Sequence, residues 1–150
     1  MSSDNKVFLK DILDSMKLIE EYVEDMDFEE FKNDQRTIDA VIRNIEIIGE
    51  ATKQIPDDVK DKNSEIPWEE MARMRDKMIH GYFSIMQEIL WETVKHDIPE
   101  TRSLIKELLE DLAEDYNFYR NIKSLQNTLT SPRQPHVIST GLHPVDPRNL

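Results

Sequence analysis

The 150-residue chain is predicted to be all-α, an antiparallel helical bundle of four to five main helices followed by a disordered C-terminal tail. Three observations predict this. Apolar residues recur every three or four positions through most of the chain, which places them along one side of a helix. Only 3 glycines are present and 33% of residues are charged, a composition that favours helices over turn-rich sheets. Capping acids, prolines and a glycine stand where the apolar spacing breaks, and each gives a helix boundary a chemical cause.

The first helix is predicted over about 6–25, where Phe8, Ile12, Met16, Ile19, Val23 and Met26 form one apolar stripe. Asp27 with Glu30 three residues on reads as a capping box that opens a short turn. A helix over about 37–54 stops before Pro56, and the polar segment 57–66 is a loop or one short turn. Pro67 opens a helix through Trp68, Met71, Met74 and Met78 that ends near Gly81. Ser84 and Gln87 signal the next helix, which reaches about His96. Asp97, Pro99 and Glu100 restart the chain as a final helix through Leu112. After about Ser124 the pattern fails, so the chain divides into a helical domain, 1–123, and a flexible tail, 124–150. The last twenty residues hold four of the seven prolines. They read as disorder, as a partner-binding arm, or as sequence added for expression.

Composition excludes several function classes. The absence of cysteine removes disulfides, thiolate catalysis and thiolate metal sites. No apolar run approaches the roughly 20 residues that cross a bilayer, and no signal-peptide pattern opens the chain, so a cytoplasmic protein without a membrane partner is expected. The net charge of −12 opposes broad attraction to nucleic acid or anionic membranes. A nucleic-acid role therefore needs a local basic site or a basic partner.

Two segments carry candidate chemistry. On the helix over 37–54, Ile38, Val41, Ile42, Ile45, Ile48 and Gly49 form one apolar face, while Ala40, Asn44, Ile47 and Ala51 form a weaker second one. Between them runs a polar line of Asp39, Arg43, Glu46 and Glu50. That line is either a set of solvated ion pairs or a set of carboxylates positioning a nearby cation. Nothing else in the sequence supports a metal, and none is expected.

On the next long helix, Arg75 falls about 20° from Trp68 and lies between Met71 and Ile79, inside the apolar stripe. A guanidinium there requires an anion: an internal acid, with Glu46 or Glu50 as candidates, or a ligand phosphate, which its planar fork suits. His80 follows by five residues, so on a regular helix the two side chains diverge by about 140°. They converge if the backbone turns near Gly81 or if two chains share the site. By itself His80, a lone histidine beside a glycine, reads as a helix-end residue meeting the dipole.

The run Arg75-Asp76-Lys77-Met78-Ile79-His80-Gly81-Tyr82 resembles the R-x-x-x-x-H-x-Y motif of HepT-like proteins of the HEPN superfamily. The stretches DILDSMKLIEEYVEDMDFEEF, RTIDAVIRNIEIIGEATKQIP, IPWEEMARMRDKMIHGYF and WETVKHDIPE resemble the same family in the same order, covering about 9–112. Asp76 stands where Asn is also familiar. The resemblance implies a helical bundle and a cofactor-free, metal-independent endoribonuclease acting on RNA. It implies the toxin of a type VII-like toxin–antitoxin pair, a homodimer whose two motifs line one cleft. Arg75 and His80 then match the catalytic pair. Tyr82 matches the tyrosine that a minimal nucleotidyltransferase antitoxin silences by AMPylation, and Glu46, Glu50 and Asp76 are supporting residues.

These residue types suit the reaction. A histidine serves as acid or base near neutral pH, and an arginine holds the phosphate and its developing charge. Each subunit offers one well-placed histidine, since His96 lies on another helix and His136 and His143 in the tail, so a symmetric dimer would supply His80 twice. Two other classes compete: a non-catalytic helical subunit that binds and regulates a nucleotidyltransferase, and a dimeric scaffold in which Arg75 is a structural ion pair.

Overall fold

The computed structural model describes residues 3–79 and 83–130; the side chains of 77–86 are outside that description, as are His80 and Tyr82 altogether. The described residues are helical throughout apart from short connections, so the all-α expectation holds. The elements are α1 (Ser3–Val23), α2 (Phe28–Lys32), α3 (Gln35–Lys53), α4 (Asp57–Lys62), α5 (Trp68–Ile79), α6 (Phe83–Glu92) and α7 (Ile98–Thr130). The chain divides into two units, Met1–Tyr116 and Asn117–Leu150.

Within the first unit α3 is the central helix, packed against both α1 and α5. Its two apolar faces explain why. Ile38, Val41, Ile45 and Ile48 are buried, and so are Asn44, Gly49, Ala51 and Thr52. From α1 come Leu9, Ile12, Met16 and Ile19, from α2 Phe31, and from α6 and α7 Leu90, Ile98 and Ile105. Each large aliphatic side chain removed from water contributes roughly 1.5–3 kcal/mol. Two buried polar groups of α3 are satisfied within the helix: Thr52 donates its hydroxyl to the Ile48 carbonyl at 2.6 Å. Asn44 donates to that of Ala40 at 2.9 Å.

The helix starts follow their caps. Asp27 accepts from the Glu30 N–H at 2.8 Å, as the capping box predicts. Asp34 caps α3 by accepting from the Thr37 N–H at 3.1 Å and its hydroxyl at 2.9 Å, which moves the start two residues ahead of the predicted Thr37. Those two donors hold the Asp34 carboxyl below its ordinary value. Within 57–66, the turn allowed by the sequence is helix α4, anchored by buried Val59. Helix α6 begins at Phe83, one residue ahead of Ser84.

Two boundaries differ from expectation. Asp97, Pro99 and Glu100 do not restart the chain. A π-helical turn over Thr93–Asp97 joins α6 to α7, and the Ile98 N–H donates to the Thr93 carbonyl. The wider turn accommodates Pro99, whose missing N–H would leave a gap in a regular ladder. Helix α7 also runs to Thr130, beyond Ser124. Residues 117–130 of the second unit are all solvent-exposed, so backbone hydrogen bonding rather than a core-facing stripe defines helix there.

Candidate active site

The site is built where α5 crosses α3. Trp68 and Met71 bury one side of α5, and the indole N–H donates to the Asn63 carbonyl at 3.0 Å, which fixes the entry to the helix. Opposite them on α3 stands Gly49. A Cβ built there would lie 3.6 Å from the Arg75 Cβ and 3.6 Å from the carbonyl oxygens of Met71 and Ala72. These are ordinary van der Waals distances, so α3 and α5 pack normally there, which brings Arg75 within reach of the next residue of α3, Glu50.

The Arg75 guanidinium donates to the Glu50 carboxylate. This is one of the two acids the sequence nominated. The other, Glu46, pairs with Arg43 at 3.3 Å along its own helix. Position in the apolar stripe implies burial for Arg75, and here the fold differs: its side chain is 38% exposed and that of Glu50 54%. The stripe is dry at Trp68 and Met71 and wet by Arg75, because α3 presents its polar line to that part of α5. Glu50 also meets Lys53 at 3.5 Å, a second cation at i+3. The Glu50–Lys53 spacing was visible in the sequence; the convergence of Arg75 on the same carboxylate needed the helix crossing.

Most of the polar line is solvated. Asp39 accepts from Gln35 at 2.8 Å, and Asp39, Arg43 and Glu50 are all exposed. Glu46 and Glu50 also border a cleft of about 380 Å³, which Phe8 and Asp11 of α1 line as well. Among the described residues no three His, Asp or Glu side chains are grouped to hold a metal ion. Asp76 is exposed on α5. Helix α5 is described as far as Ile79, so the placement of His80 and Tyr82 relative to Arg75 lies outside the described residues.

The fold and this arginine-bearing helix define a class, an all-helical protein with a partly exposed arginine–glutamate pair where two of its helices cross. A model of the family "Ribonuclease HepT-like" matches residues 12–108. The chain is 50% identical over 108 residues to "Probable ribonuclease HepT" of Thermococcus cleftensis, covering 72% of this chain and 98% of that protein. It is 46% identical over 115 residues to "Putative RNase MJ0127" of Methanocaldococcus jannaschii, covering 76% of this chain and 95% of that one. No solved structure gives a significant match. The chain belongs to the HepT-like ribonuclease family. Among the described residues, no helix is long and apolar enough to cross a membrane.

Proposed function

We propose that the protein is a cytoplasmic, metal-independent endoribonuclease and the toxin of a toxin–antitoxin pair, with Arg75 and His80 as its catalytic residues. In the reaction a base takes the proton of a ribose 2′-hydroxyl, and the 2′-oxygen forms a bond to phosphorus. The bond to the 5′-oxygen then breaks, and that oxygen leaves with a proton from an acid. His80 carries each proton in turn, or two copies of His80 share them across a homodimer cleft. Arg75 holds the non-bridging oxygens as charge grows on them.

The observation that carries this reading is the exposure of the Arg75–Glu50 pair. A buried pair would leave an uncompensated charge when opened, at a cost of about 3–5 kcal/mol. An exposed pair is worth at most about 1 kcal/mol. A phosphodiester can therefore replace Glu50 on the guanidinium at little cost, and Lys53 remains to partner the released carboxylate. Glu50 acts as a placeholder that orients Arg75 before substrate arrives. AMPylation of Tyr82, two residues beyond His80, by a nucleotidyltransferase antitoxin would set bulk and negative charge where the RNA phosphate must sit.

The test is expression of the chain alone, together with cleavage of a fluorescent RNA by purified protein in excess chelator. Growth arrest and cleavage are expected, and both should disappear in His80→Ala. Undiminished arrest in that variant would sink the assignment.

A second reading has its own observation. Between the starts of α5 and α7 lies a groove of about 350 Å³ with Met71, Met74 and Ile98 in its lining and Glu65, Glu70, Asp97 and Glu100 around it. Such a surface repels RNA and suits a basic protein partner, as expected of a non-catalytic subunit that regulates a nucleotidyltransferase. Under this reading purified protein binds that partner and leaves RNA intact.

A further inference from the structure

The family match ends at residue 108, yet α7 continues to Thr130. On residues 117–130 four large apolar side chains face water: Phe118 (68% exposed), Ile122 (38%), Leu125 (65%) and Leu129 (85%). Their spacing is four, three and four, the spacing of the seam positions of a two-stranded coiled coil. The buried series on the same helix, Ile98, Thr101, Ile105 and Leu108, ends before this stretch.

We propose that residues 117–130 are a self-association element, pairing in parallel with the same segment of a second copy through Phe118, Ile122, Leu125 and Leu129. This goes beyond the nuclease reading and does not depend on it.

The distribution of charge selects a second copy as the occupant. The whole chain is 33% charged, but this stretch carries only Arg120 and Lys123. Both fall on the side of the helix away from the stripe. The positions flanking the stripe are Tyr119, Asn121, Gln126 and Thr128, all uncharged. Two identical segments can therefore meet without like charges facing each other, which is the chief penalty of pairing a helix with itself. Residue shape sets the direction: β-branched Ile122 takes the seam position where parallel two-stranded coils favour Ile or Val, and Leu125 takes the one where they favour Leu.

An isolated helix of this length is marginal in water. Here it extends a helix whose first turns are fixed in the core by Ile98, Ile105 and Leu108, so part of the ordering cost is already met.

The chain has no cysteine, so one introduced thiol reports a single position. In the full-length protein, without RNA, Leu125→Cys should form an intermolecular disulfide on mild oxidation at least about tenfold faster than Arg120→Cys, because pairing raises the local concentration of one thiol at the other. Adding Leu129→Asp to the Leu125→Cys protein should abolish that advantage; both positions are exposed, so folding is not at stake. Equal rates for the two thiols would overturn the proposal, as would an advantage that survives Leu129→Asp. If added RNA shields the thiol at position 125 from alkylation while no disulfide advantage exists, the stripe is a nucleic-acid surface and the proposal fails. None of these outcomes depends on cleavage, so a failed nuclease assay and a failed association remain distinct.

Discussion

Two sides of α3 obey different rules. Along one, Val41, Ile45 and Ile48 are sealed from water among side chains of neighbouring helices. Along the other, Arg43, Glu46, Glu50 and Lys53 form ion pairs that remain solvated, and Arg75 joins them from α5. The first side holds the bundle together and tolerates little change. The second contributes little to stability, and on the proposed function its partners are exchanged for a phosphate. A catalytic arginine needs such a place, where its resting contact is definite but weak.

The contrast can be broken or sharpened by substitution. The largest effect is expected on the sealed side: Ile45→Ala should lower stability by about 2–5 kcal/mol in a denaturant titration. Cleavage per folded molecule should stay near wild type. A smaller loss than about 1 kcal/mol would show that the sealed side is not the main source of stability. On the solvated side the expectation reverses. Arg75→Ala should move the denaturation midpoint by no more than about 1 kcal/mol while slowing RNA cleavage about 100- to 1,000-fold. Large destabilisation with unchanged cleavage would make Arg75 the structural ion pair of the scaffold reading.

A gentler probe is Glu50→Gln, which removes the placeholder and keeps its shape. Stability should fall by less than about 1 kcal/mol, and RNA binding, followed by fluorescence anisotropy with the His80→Ala protein, should tighten by up to about fivefold. Weaker binding would mean that Glu50 positions Arg75 more than it competes for it.

The smallest effect belongs to the cap of the same helix. The Thr37 N–H and hydroxyl hold the folded Asp34 carboxyl below its unfolded value. Its stabilisation is therefore present above the ordinary carboxylate range and is lost as pH falls through the lower, folded value. Asp34→Asn retains a cap without titration, so the variant should show a slightly shallower loss of urea stability between about pH 5 and pH 2. Identical slopes would remove Asp34 from the account.

Local chemistry made much of the bundle legible. The Asp27 cap and the burial of Ile12, Met16 and Ile19 follow from spacing and residue type, because helix periodicity is a property of the chain itself. The π-helical turn before Pro99 was not legible. Apolar spacing carries straight through it, and a proline after polar residues reads as a restart. The end of α7 was missed because the reading relied on a core-facing stripe, whereas the backbone hydrogen bonds of residues 117–130 continue without one. For the site, Arg75 and its two candidate acids could be named from the sequence, but the choice between them could not.

The amino-acid order by itself determined the helix faces, the main caps, and the R-x-x-x-x-H-x-Y spacing of Arg75, His80 and Tyr82, since each depends on neighbours within a few residues. Tertiary structure alone decided that Glu50 and not Glu46 meets Arg75, and that the pair is wet. That outcome depends on where α5 crosses α3, which brings together two side chains 25 residues apart in sequence.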